Sequence, residues 1–176
     1  MVSIGNDVFS KSKIINLTLS SNIKDLAIAN SFDSIKSLEN VFVAEDNPYY
    51  ISIDCILYTK NMTTLYIIPR NKSVSYYSVP FGVRKILAGA IQNSYISTLV
   101  ISETVRDIGG YFGRFSQIQH IVIKQTTGHL NIDKTDYFFD SKFTPIFEYM
   151  SVAIPTCVHW EISNFFCYLF NFIVLS

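Results

Sequence analysis

A step of 22 residues constrains this chain more than any other feature. Laid on Ile101-Ser102-Glu103-Thr104-Val105-Arg106-Asp107-Ile108, the segment Val79-Pro80-Phe81-Gly82-Val83-Arg84-Lys85-Ile86 has apolar residues at the same first, fifth and eighth positions. The next step lands on Ile123, inside the triplet Ile121-Val122-Ile123. Upstream, Leu19-Ser20-Ser21-Asn22-Ile23-Lys24-Asp25-Leu26 fits the same frame, and Val41-Phe42-Val43 follows Leu17-Thr18-Leu19 at a step of 24. Ile4 stands 15 residues before Leu19, as Ile86 does before Ile101 and Ile108 before Ile123, so the chain opens inside a repeat. A fixed period in this range is the signature of an array in which each unit buries its apolar face on the next.

Each unit reads as a short strand (Leu17 to Leu19, Tyr77 to Val79, Leu99 to Ile101, Ile121 to Ile123), a turn, and an irregular or weakly helical return with apolar anchors such as Phe9, Phe32, Ala90 and Ile91. Stacking lets strands pair at about 4.8 Å and turns inward Ile, Leu, Val and Phe into ladders. The expected fold is an α/β repeat solenoid, β-dominated, of about 22 to 24 residues per turn; four or five coils would span roughly 20 to 25 Å. The composition, 49% hydrophobic and 15% aromatic, supplies its core.

From Asn47 to Pro69 the character changes. Tyr50-Ile51-Ser52, Ile56-Leu57-Tyr58-Thr59 and Leu65-Tyr66-Ile67-Ile68 are β-rich runs separated by Asp54-Cys55 and Lys60-Asn61-Met62, which predicts an inserted β-hairpin or small meander. We expect this insert to project from the solenoid or cap its edge, where loops tend to carry recognition. Tyrosine gives large contact area at low entropic cost, so Tyr49, Tyr50, Tyr58 and Tyr66 are the candidate protein-binding residues; Tyr76, Tyr77, Tyr95 and Tyr111 belong to the same set, part of which lines the core.

These residues resemble the BspA-type leucine-rich repeats of bacterial and protist surface antigens. That unit runs apolar, Pro, two variable residues, Val, two variable residues, Ile-Gly, two variable residues, Ala-Phe, and Val79-Pro80 through Ile86, Ile101 through Ile108-Gly109, and Ile4-Gly5-Asn6-Asp7-Val8-Phe9 match most of it. The insert is similar to the family's recurrent hairpin through Asn47, Tyr50, Ser52, Asp54-Cys55, Leu57-Tyr58, Thr64-Leu65 and Pro69. Cys55 replaces the expected Gly, so a turn needing positive φ is strained there or differs. Gly113 stands at the usual Phe position with Phe112 beside it, which suggests a local slip. The resemblance implies a right-handed solenoid used in adhesion or protein binding, with no family-wide catalytic residue. It covers residues 1–123, the repeat domain with its insert at about 47–69. Residues 124–176 form a degenerate apolar tail, in which Ile154-Pro155-Thr156-Cys157-Val158 recovers the start of a unit and Glu161 sits where Ile is expected.

Other chemistries find little support. Fourteen basic and fourteen acidic residues cancel and are scattered, so nucleic acid is not an expected partner. Gly109-Gly110-Tyr111-Phe112-Gly113 lacks the Lys-Ser/Thr and the following helix of a phosphate loop. Cys157, His159 and Cys167 are short of a zinc set, with His120 and His129 in another coil. Glu45-Asp46-Asn47 and Asp133, Asp136 and Asp140 lack the ligand alternation and Gly turn of a calcium loop. No Gly-x-Ser-x-Gly elbow occurs, and His120 has no nucleophile partner in sequence. We therefore expect no enzyme activity, no metal and no cofactor.

Location is left open. Cys55, Cys157 and Cys167 make no disulfide framework, although the last two could pair in a folded tail. Met1 to Ser12 has neither the basic nor the apolar region of a signal peptide. Asn16, Asn61 and Asn71 head glycosylation acceptor triplets that matter only in a secreted protein. The run from Trp160 to Ser176 is short for a membrane span and lacks basic flanks, so insertion is not expected; as an uncapped apolar end it predicts self-association. The leading expectation is a non-enzymatic module presenting its strand face and insert to a protein, host or matrix, at the cell surface. The alternatives are an intracellular interaction scaffold and a truncated paralogue without selected function.

Overall fold

The computed structural model describes residues 2–5, 8–9, 11–26, 32, 35–124, 130–132 and 146–149. Among them the structure is built from strands and turns and contains no helix; the irregular form of the return is the one adopted. It is a solenoid of about 5 turns at a spacing of ~22 residues. Strands β1 (Val2–Ile4), β2 (Asn16–Leu19), β3 (Ile23–Leu26) and β4 (Asn40–Val43) precede the insert. The insert forms β5 (Tyr50–Ile53), β6 (Ile56–Thr59) and β7 (Thr64–Ile67). After it come β8 (Tyr76–Ser78), β9 (Lys85–Ile86), β10 (Thr98–Ile101), β11 (Asp107–Ile108), β12 (His120–Ile123), β13 (Asn131–Ile132) and β14 (Ile146–Tyr149).

The 22-residue step becomes hydrogen-bonded register. Thr98 lies against Tyr76 and His120, and Ile108 against Ile86, all in parallel strands at that step; Ile108 pairs onward with Ile132 at a step of 24. The β8–β10–β12–β14 sheet carries the first strand of each later coil, and β9, β11 and β13 carry the second. The strand sheet continues past residue 123, because β14 pairs with β12 from His120↔Ile146 to Ile123↔Tyr149. Loop amides repeat the pattern: Ser97 and Thr98 donate to the Ser75 carbonyl, and Gln119 and His120 donate to that of Ser97. Inward positions stack like on like, Tyr77, Leu99 and Ile121 in one ladder and Val79, Ile101 and Ile123 in the next, all buried.

The insert neither projects nor caps. In β6, Ile56, Leu57 and Tyr58 are all buried, which a strand achieves only when both of its faces are covered. Alternate residues enter different cores: Ile56 and Tyr58 join Leu65, Ile86, Leu99 and Ile121, whereas Leu57 joins Leu19, Phe32, Val41, Tyr50 and Ile67. The expected position is therefore corrected: the hairpin is a wedge between two half-solenoids, held there by two-sided apolar burial. Its third strand serves as a repeat strand, since β7 pairs antiparallel with β6 and parallel with β9.

Two further expectations resolve locally. The hairpin closes with Ile53 opposite Ile56, leaving Asp54 and Cys55 as a two-residue loop with φ of 49° and 62°. Positive φ at both positions defines a type I′ turn, so Cys55 does occupy the left-handed conformation that glycine takes at least cost. In the Gly113 region, Phe112 lies one step of 22 from Ala90, and Gly113 lies one step from Ile91; Phe112, Ala90 and Ile91 are all buried. The large side chain has moved by one position and the summed volume of the pair is roughly kept, which cores tolerate.

Candidate protein-binding face

The pleat decides what this fold offers to a partner. In β2, β4, β8, β10 and β12 the inward residues are 17 and 19, 41 and 43, 77 and 79, 99 and 101, and 121 and 123, so the intervening residues face outward. One outward ladder runs Tyr76, Thr98, His120 and the other Ser78, Val100, Val122, in register across β8, β10 and β12, with Val100 itself buried. On β2 and β4 the outward pairs are Asn16 with Asn40, joined through Asn40 Nδ2 to Asn16 Oδ1 at 2.7 Å, and Thr18 with Phe42. Most of this face is small or polar. Phe42 is 45% exposed and Tyr76 is 59% exposed, too large and too open to be core.

The insert borders this face at the edge of β4. Val41 N donates to the Cys55 carbonyl at 3.2 Å, and Ser52 Oγ donates to the Val41 carbonyl, so the hairpin turn occupies the free edge of β4. That brings Ile53, exposed beside the turn, alongside the strand that carries Phe42. Asn47 anchors the other end of the insert. Fully buried, it donates through Nδ2 to the carbonyls of Ser20 (2.8 Å) and Ile23 (3.1 Å) and accepts at Oδ1 from the amides of Tyr49 (2.8 Å) and Tyr50 (2.9 Å).

The four tyrosines proposed from sequence are not one surface. Tyr50 is buried, with its hydroxyl on the Lys24 carbonyl at 2.7 Å and its ring edge-on to Tyr66 at 5.1 Å. Tyr58 is buried and shares a hydroxyl–hydroxyl hydrogen bond with Tyr77. Burial pushes the Tyr50, Tyr58 and Tyr77 phenols above the ordinary tyrosine range; the charge of Asp54 in the hairpin turn adds to this at Tyr58 and Tyr77. Tyr50 and Tyr58 are thus core residues that give a partner no ring face. Tyr66 is half-buried against Tyr50, and Tyr49 is exposed with the Lys24 ammonium 5.9 Å from its ring centre. Sequence reasoning passed over Phe42 and Ile53. The signal for Phe42 was present in Val41-Phe42-Val43, whose flanking valines must face inward if the triplet is a repeat strand.

The family model described as BspA type Leucine rich repeat region matches residues 1–79 and 70–151, in 6 copies. The chain belongs to that family. BspA-type repeats are repeat modules of the protein-binding kind. No curated protein matches the chain. The fold is similar to the crystal structure of the pneumococcal vaccine antigen PcpA, with 23% identity and a TM-score of 0.64 over 75% of this chain and 38% of that one. It is also similar to a leucine-rich repeat protein from Eubacterium ventriosum, at 18% identity and a TM-score of 0.56 over 73% of this chain and 42% of the other. A leucine rich cell surface protein from Faecalibacterium prausnitzii shares 20% identity and a TM-score of 0.60 over 68% and 32%. The chain therefore spans well under half the length of these structures.

Among the described residues no three His, Cys, Asp or Glu side chains gather as a metal site, and no helix is long and apolar enough to cross a membrane. Cys157, His159, Cys167, His129, Asp133, Asp136, Asp140 and the run from Trp160 to Ser176 lie outside the described residues.

Proposed function

We propose that this BspA-type solenoid is a non-enzymatic adhesin-like module that binds a host or matrix protein through its outward strand face. The observation that carries the reading is Phe42 and Tyr76, large exposed rings held outward by strands that flank the insert, each beside polar outward neighbours, Thr18 and Asn40 for the first and Ser78 and Thr98 for the second. Exposed aromatic anchors set in a polar surround are the usual composition of a protein-binding hot spot. The similarity to a vaccine antigen and to a cell surface protein supports an outward-facing location.

The test is binding of the purified chain to a panel of collagen, fibronectin and laminin, with Phe42→Ala and Tyr76→Ala as the probes. Saturable binding that falls about tenfold or more with either substitution is expected, since a hot-spot truncation costs ≥ 2 kcal/mol. Binding that ignores both substitutions would sink the assignment of this face. Location is tested by antibody labelling of intact and permeabilised source cells, using the exposed turn around Lys60 and Asn61 as epitope; labelling only after permeabilisation would favour an internal scaffold.

A further inference from the structure

Three glycosylation acceptor triplets stand in the chain, headed by Asn16, Asn61 and Asn71, and the fold treats them differently. Asn16 lies in extended β2, and its Oδ1 takes a hydrogen bond from Asn40, 24 residues away. Asn71 is half-buried; its Nδ2 donates to Glu39 Oε1 at 2.7 Å, 32 residues away, and its backbone amide donates to the Leu38 carbonyl at 2.8 Å. Asn61 makes its side-chain bonds inside a single turn.

That turn joins β6 to β7 and is exposed at Lys60 and Asn61. Asn61 Oδ1 accepts from Thr63 Oγ1 at 2.8 Å, from the Thr63 amide at 3.2 Å and from Thr59 Oγ1 at 2.8 Å, and Met62 N closes the turn on the Thr59 carbonyl at 2.8 Å. Met62 sits between acceptor and hydroxyl with φ of 57° and packs on the second core, which fixes the turn from below. A backbone amide can only donate, so the atom that the Thr63 amide meets is the side-chain oxygen, and Nδ2 faces away. Among the described residues Nδ2 has no hydrogen-bond partner. A carboxamide nitrogen is a poor nucleophile because its lone pair is shared with the carbonyl. It becomes one as a proton leaves Nδ2 and charge builds on Oδ1, and donors already aimed at that oxygen stabilise the charge as it forms. All three donors come from Thr59 and Thr63, so the arrangement forms with the hairpin turn itself, whereas the bonds of Asn16 and Asn71 exist only once distant coils have met.

We infer that Asn61 is a modification site, the residue of this chain to which an N-linked oligosaccharide is attached. The donor class is an oligosaccharide carried on a polyprenyl diphosphate. In the transfer Nδ2 forms a bond to the anomeric carbon, the bond from that carbon to the diphosphate oxygen breaks with its electron pair leaving on the diphosphate, and one Nδ2 proton passes to a base of the transferase. Since Nδ2 holds no contact of the fold, the modification removes none. A sugar chain is bulky and hydrophilic and belongs on an exposed turn. At Asn71 the same group would crowd the contact with Glu39 between coils, and at Asn16 it would stand on the outward face that carries Phe42. The inference shares with the proposed surface location only the requirement that the chain pass through the compartment where such donors are found.

Protein purified from source cells is treated with a peptide–N-glycanase in heavy-oxygen water, which turns each glycosylated Asn into labelled Asp, and is read by mass spectrometry. We expect label at Asn61 and none at Asn16 or Asn71. The full chain fused behind a secretion signal is expressed in insect cells as parent, Thr63→Ser, Thr63→Val and Asn16→Gln/Asn71→Gln. The glycan is expected to persist in Thr63→Ser and in the double variant and to be lost in Thr63→Val, which removes the hydroxyl and keeps the shape. A glycan at Asn61 also shields the turn chosen above as epitope, so antibody labelling of intact cells should rise after the glycanase. An unlabelled Asn61 in the source protein, or label shared equally with Asn16 or Asn71, would overturn the site. The surface reading fails separately: a labelled Asn61 in protein detected only after permeabilisation keeps this site and removes the surface location, and an unmodified Asn61 in protein detected on intact cells does the reverse.

Discussion

Single residues in this chain are constrained mainly by where the repeat brings backbone against backbone. Gly109 is one such place: a Cβ built there would stand 2.4 Å from the Ala88 amide nitrogen and 2.8 Å from its Cα. Backbone cannot swing aside as a side-chain tip can, so Gly109→Ala should destabilise the fold by about 3 kcal/mol, read as a drop in the urea midpoint. Cys55 predicts the opposite sign. Its left-handed φ suits glycine, and Cys55→Gly should raise stability by about 1 kcal/mol with the hairpin register unchanged; no gain in melting temperature would mean that the thiol repays the strain by packing. Asn47 is a third case, since each of its amide donors and acceptors is used in a fully buried setting. Asn47→Ala leaves the two amides and the Ile23 carbonyl to find other partners, at about 1 to 3 kcal/mol for each one left dry, while the Ser20 carbonyl keeps the Ile23 amide; the sum is enough to prevent folding. A folded Asn47→Ala chain with near-parental stability would refute that account of the insert's anchorage.

At the scale of elements, the hydroxyl pair between β6 and β8 is the polar joint inside an otherwise apolar core. Removing one hydroxyl strands the other, so Tyr58→Phe and Tyr77→Phe should each cost about 1 to 3 kcal/mol, while the double variant should cost clearly less than their sum. Additive costs in a urea double-mutant cycle would show that the two hydroxyls are not coupled. The same pair sets an alkaline limit. Burial raises the folded-state affinity of both phenols for their protons, so their contribution is intact below the unfolded tyrosine value of about 10 and is lost as pH rises above it, because the unfolded chain releases the protons first. The urea midpoint should therefore fall from about pH 10 upward, and fall less steeply in the double Phe variant. Which elements exist was legible from sequence, because apolar residues at a 22-residue step can satisfy a stacked strand and little else. The burial of the insert was written in it too, in three consecutive apolar residues, Ile56-Leu57-Tyr58. Only pairing can reveal that this short run has a core on each side.

The described residues build two apolar cores that meet at the insert, and that arrangement decides how the molecule comes apart. In a solenoid each coil is stabilised by its neighbours alone, so damage stays near its origin unless a shared element passes it on. Here the insert is the shared element: Ile56 and Leu57 of β6 load different halves, as do Leu65 and Ile67 of β7. The candidate site inherits this division: Phe42 stands on the half before the insert, Tyr76 on the half after it, and the hairpin turn bonds to the strand of the first. Sequence alone could not relate these two rings, because the chain between them, a separation of 34 positions, holds an insert whose position depends on two-sided burial. The division can be tested by truncating one residue per core. Leu57→Ala should cost about 2 to 5 kcal/mol and speed amide hydrogen exchange in β2 and β4 more than in β10 and β12. Ile56→Ala should reverse the ranking, because its side chain enters the other core. If both substitutions accelerated exchange evenly along the chain, the two cores would be a single cooperative unit, and the hairpin would be a continuous part of one solenoid instead of a wedge between two.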